Sequence, residues 1–74
     1  MDVVHVQACP LKGDWIRIDH TPAGAVNLTG SIAGDREAAF LNTAYPSKHE
    51  AETAGLAWAS ERGVQRLHVV IDDA

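Results

Sequence analysis

The chain has 74 residues, 46% of them hydrophobic and 22% charged, with a formal net charge of −4. That length holds one domain, residues 1–74, near the lower limit for folding alone, and the hydrophobic content is too high for a disordered chain. The acidic balance disfavours a nucleic-acid surface, whose affinity comes largely from clustered Lys and Arg, and Lys12, Arg17, Arg36, Lys48, Arg62 and Arg66 are scattered along the sequence.

From the N-terminus, residues 3–8 are short and β-branched, and Pro10 stops them. Residues 15–20 alternate, with Ile16 and Ile18 on one side and Trp15, Arg17 and Asp19 on the other, which predicts a strand. Thr21, Pro22, Ala23 and Gly24 supply turn chemistry. Val26, Leu28 and Ile32 then share one side, opposite Asn27, Thr29 and Ser31, and Gly30 marks a bulge or bend in that run. Gly34 and Asp35 form the next turn, and residues 38–45 form a further strand carrying Phe40 and Leu41.

The clearest signal is a helix over residues 47–62. Ser47 and Glu50 make the S-x-x-E capping box, in which the Ser47 hydroxyl accepts from the Glu50 amide. Pro46 precedes the cap, where it removes no helical hydrogen bond. Arg62 ends the last turn and Gly63 follows as the left-handed residue. Ala51, Ala54, Gly55, Trp58 and Ala59 share one face. It is mostly small, so the helix can lie close to a sheet with Trp58 as its one large side chain. Residues 67–71 alternate again and close the chain as a strand.

These elements predict an α+β fold of order β-β-β-β-α-β, a mostly antiparallel sheet of four or five strands with one helix on one face. The inward set is Ile16, Ile18, Val26, Leu28, Ile32, Leu67, Val69, Ile71 and one of Phe40 or Leu41. The face without a helix carries polar residues together with Trp15 and Val70, and an antiparallel sheet can leave such a face wet.

Chemistry-bearing residues form no catalytic set. His5 and Cys9 share a strand face, but four residues of strand span roughly 13 Å, too far for one metal. His20, His49 and His68 match no zinc spacing. His49 and Glu52 can meet on the helix surface, and Asp72 and Asp73 form an acidic end. No metal, cofactor or enzymatic activity is expected. Cys9 is the only cysteine, which excludes an intrachain disulfide. The N-terminus has no basic-then-apolar leader and no run reaches membrane-spanning length, so a cytoplasmic location away from the membrane is expected.

Two resemblances add to this reading. Trp15 opening a hairpin, then Tyr45-Pro46-Ser47-Lys48-His49-Glu50-Ala51, Ala54, Ala59, Gly63 and residues 67–71, resembles small bacterial domains of unknown function with a tryptophan-led hairpin and a T/S-x-x-E-A helix. It implies a hairpin–helix–strand fold and no known activity. More distantly, Glu50 and Asp72 resemble in order and spacing the helix–strand carboxylates of the ribonuclease H fold, which bind two metals. The first strand, VVHVQA, lacks the central acid of that family. The resemblance therefore implies a non-catalytic relative, similar to antitoxin-type proteins that keep only the β-β-β-α-β half.

The expected function is a non-enzymatic interaction or regulatory module, a homo-oligomer or one that binds another protein. Its candidate surface is Trp15, Arg17 and Val70 on the helix-free face, or an exposed strand edge. The alternative is a nucleic-acid-binding or toxin-neutralising protein of half-ribonuclease-H or double-stranded-RNA-binding shape. That would require Arg17, Arg36, Arg62 and Arg66 to converge.

Overall fold

The computed structural model describes residues 1–8, 13–33 and 38–72. The expectations placed on Cys9 and Pro10, on the turn at residues 34–35, on Arg36 and on Asp73 lie outside the described residues. Strands and helix follow in the order β1 (Asp2–Val6), β2 (Asp14–His20), β3 (Val26–Ala33), β4 (Ala38–Tyr45), α1 (Lys48–Glu61) and β5 (Arg66–Asp72). This is the α+β fold that the sequence predicts.

The sheet order is β1-β5-β2-β3-β4. β2, β3 and β4 form an antiparallel meander, and β5 inserts between β1 and β2, parallel to both. The β2–β3 hairpin closes through the expected turn residues. The Gly24 amide donates to the Thr21 carbonyl at 3.0 Å, and the Ala25 amide donates to Thr21 Oγ1 at 3.2 Å. Gly24 takes φ +85°, a conformation open to it for want of a Cβ.

Both helix ends form as the sequence requires. Ser47 is extended and its Oγ accepts from the Glu50 amide at 3.2 Å, satisfying one of the donors that a helix start leaves free. Gly63 turns the chain at φ +74°, and its amide donates to the Ser60 carbonyl. Arg62 lies over the Trp58 ring, 5.1 Å from its centroid.

The core lies between α1 and the sheet. Ile16, Ile18, Leu28, Leu67 and Val69 are its largest fully buried side chains, each contributing about 1.5–3 kcal/mol on burial. Val26 and Ile32 join them from the expected set, Ile71 is only half-buried, and Val64, from the connection after α1, is buried as well. Leu41 turns inward with Ala39 and Tyr45, while Phe40 turns outward at 75% exposure.

α1 approaches the sheet through two glycines. A Cβ at Gly55 would stand 2.6 Å from Ile16 Cδ1 and 3.2 Å from Leu28 Cδ1. A Cβ at Gly30 would stand 2.6 Å from Trp58 Cζ3. The bulge or bend expected at Gly30 is absent, because that residue pairs in regular register with Ile16 and Leu41. Gly30 leaves the space on β3 where the Trp58 ring sits.

Gly55→Ala sets two effects against each other. The helix gains about 1 kcal/mol of propensity, while overpacking a filled core costs about 1–3 kcal/mol. Ile16 is fully buried, so its methyl cannot swing out to solvent. Gly55→Ala is therefore expected to destabilise the fold in urea denaturation. Combined with Ile16→Val, which removes the offending methyl, it should cost less than the sum of the two single changes. Strict additivity would show that the Gly55–Ile16 contact does not set the helix–sheet distance.

Candidate interaction surface

Strand register determines what the helix-free face carries. Ile16, Ile18, Leu67 and Val69 are buried on the α1 side, so the residues between them face away. Following the pairings across the sheet, one row runs Val4, His68, Trp15, Ser31, Phe40. The next runs Val6, Val70, Arg17, Thr29, Asn42, and a third runs Asp72, Asp19, Asn27, Ala44.

The first row is the apolar one. Val4 is 38% exposed and Phe40 75%, at opposite ends of the row, and Trp15 is half-buried at its centre. His68 sits beside Gly13, and its Nδ1 lies 3.1 Å from the Asp14 carbonyl. A carbonyl oxygen only accepts, so Nδ1 carries the proton. The Asp14 carboxylate in turn accepts from the Ala33 amide at 2.9 Å, tying β2 to the far end of β3.

The centre of the face is charged. Arg17 Nε donates to Asp19 Oδ1 at 2.8 Å, and its Nη2 donates to Asp72 Oδ2 at 3.0 Å. Asp19 and Asp72 are register partners on adjacent parallel strands, so one guanidinium holds two neighbouring carboxylates apart. The hydrogen bond to Asp72, then the bond to and charge of Asp19, hold the Arg17 pKa above its ordinary value.

The three residues expected to form the surface share one face but differ in access. Trp15 is half-buried, and Arg17 shows 43% of its side chain but directs two of its five donors to Asp19 and Asp72 within the sheet. Val70 faces away from α1 and is only 5% exposed. Its register neighbours are Val6 and Arg17, and Gln7 and Ala8 line the same small cavity of about 340 Å³. The residue that sequence reasoning left undecided, Phe40, is the more accessible one. The register with β3, which turns Leu41 and Tyr45 inward, places Phe40 outside.

The carboxylates of the ribonuclease H resemblance do not meet. Glu50 is exposed on α1, whereas Asp72 bonds Arg17 on the opposite side of the sheet. Among the described residues no group of three or more His, Cys, Asp or Glu side chains is placed to hold a metal ion, and no helix is long and apolar enough to cross a membrane. Arg62 and Arg66 line one open cavity of about 490 Å³ with Gln65 and His68, and Arg17 does not join them. The chain matches no protein-family model, no curated protein and no solved structure.

Arg17→Gln would remove the guanidinium that bridges Asp19 and Asp72. A raised arginine pKa favours the folded state wherever Arg17 is charged, and that contribution is lost only in strong alkali. The melting temperature of Arg17→Gln should therefore fall below that of the parent, and the gap should narrow in high salt, which screens the two ion pairs. A gap that salt leaves unchanged would mean that Arg17 acts by packing alone.

Proposed function

We propose that the chain is a non-enzymatic interaction module that binds protein, a second copy of itself included, through the surface that α1 leaves bare around Trp15, Arg17 and Phe40. The observation that carries this reading is Phe40, a large aromatic that stands 75% exposed in the same cross-strand row as Trp15 and Val4. Large apolar side chains gathered on one face of a small domain favour association over solvation. Association also adds burial to a domain with a core of this size.

A second reading, binding of nucleic acid or neutralisation of a toxin, draws support from two observations. Arg62 and Arg66 line one cavity, and β2-β3-β4-α1-β5 has the β-β-β-α-β order of the half-ribonuclease-H resemblance. The net charge of −4 and the engagement of Arg17 by two carboxylates weigh against it.

Sedimentation velocity over a wide concentration range separates the two. The parent chain is expected to self-associate, and Trp15→Ala combined with Phe40→Ser should weaken that association at least about tenfold, which is 1.4 kcal/mol, while far-ultraviolet circular dichroism stays the same. A monomer at every concentration, together with retention of labelled double-stranded RNA at low salt that Arg62→Gln and Arg66→Gln abolish, would favour the second reading.

A further inference from the structure

We infer that β4 is the seam of a homodimer, in which the β4 strands of two copies pair antiparallel about a twofold axis and join the two sheets into one. This rests on the reading of the chain as an interaction module and names its partner and contact.

Edge strands of soluble proteins are normally blunted by charged residues, proline, bulges or short length. β4 has none of these. It runs eight residues, AAFLNTAY, without Lys, Arg, Asp, Glu or Pro. All eight pair with β3 in unbroken register, so no bulge twists the strand away. Its outer edge is unpaired among the described residues, and Ala38, Phe40, Asn42, Thr43 and Ala44 are exposed. The backbone groups pointing outward from such a strand form a template for another strand. β1, at the opposite edge, is shorter, with five residues, and begins with the charged Asp2.

The occupant that fits is a second copy, because an uncharged strand set against itself brings no like charges together although each chain carries −4. β4 is the neutral strip, and self-pairing sets it against itself. It offers no cation to a nucleic acid. A twofold contact also closes on itself, whereas pairing of β4 with β1 of the next copy would run on as a fibre.

Parity restricts the register. Antiparallel partners share a face, so the axis passes through a residue position rather than between two. With the axis at Asn42 that residue faces its own copy, and Phe40 lies beside Ala44 of the other chain. With the axis at Leu41, Phe40 lies beside the other chain's Asn42. In both registers Phe40 stays on the helix-free face and gains a cross-strand neighbour.

Light scattering after size exclusion tests the seam on the full chain. The parent is expected at twice 7.9 kDa at high concentration. Phe40→Lys with Asn42→Lys sets lysines against each other at the seam and should return the mass to 7.9 kDa with an unchanged circular dichroism spectrum. Val4→Lys, at the other edge, should leave the dimer intact. In a Cys9→Ser background, oxidation should cross-link Asn42→Cys to itself for the first register, or a Phe40→Cys and Asn42→Cys mixture for the second. This readout holds whatever the lysines do to folding. Failure of both cross-links, a parent monomeric at every concentration, or growth into fibres would overturn the twofold seam. A dimer that survives the lysines but is dispersed by Trp15→Ala would overturn the seam while leaving the interaction reading standing.

Discussion

The distance between α1 and the sheet governs the rest of this fold. It is set where Gly55 lies on Ile16 and Leu28, and where the Trp58 ring lies on Gly30. Each of these contacts exists because one partner has no side chain. Ala51 and Ala59, also buried, complete a helix face with almost no relief. A helix pressed this closely excludes water from the β2–β3 pair with few large residues, which is how a short chain obtains a core with Ile16, Ile18 and Leu28 fully inaccessible. Trp58 fills the remaining gap and is itself capped by the Arg62 guanidinium.

The same economy determines what is left outside. α1 covers β2, β3 and β4, and the chain has no second helix among the described residues. Val3 and His5 pair in register with Leu67 and Val69 on the α1 side, yet both are exposed because the helix does not reach β1. On the other side, the ion pairs of Arg17 link β2 to β5 across the middle of the sheet. That leaves the exposed apolar side chains at the two ends of one row, Val4 and Phe40, with Trp15 half-buried between them and the charged residues in the neighbouring rows.

Much of this was legible in the sequence, and the reasons differ by element. The helix is written in local chemistry: Ser47 caps it, Gly63 ends it, and both act within a few residues. The strands of the hairpin are legible because alternation has period two and the Thr21–Gly24 turn fixes their phase. Four features depend on non-local pairing and were not legible. Gly30 reads as a defect until Trp58 is placed on it. Phe40 and Leu41 are equivalent until the register with β3 assigns their faces. Val70 reads as an open-face residue until Gln7 and Ala8, far away in sequence, are found beside it. The Arg17–Asp72 bond joins residues at nearly opposite ends of the chain and has no local signature.

The charge distribution gives the exposed surfaces different meanings. A carboxylate pair as close as Asp19 and Asp72 would favour a cation, but Arg17 already satisfies that demand from within the sheet, so the centre of the face is closed chemically although it is open sterically. The cavity lined by Arg62 and Arg66 is the reverse case. It is open and lined by Asp14 as well as the two arginines, and Arg62 is engaged with the Trp58 ring and with its own helix end, where the last carbonyls carry the negative end of the dipole. An anion there would compete with both. Among the described elements β4 alone is accessible, long and without charge. Residues that ordinarily protect an edge are cheap to acquire by single substitutions, so a strand that lacks every one of them is better explained by pairing than by chance exposure. The exposed ring of Phe40 lies on that strand, and its solvation cost falls only when something is placed beside it.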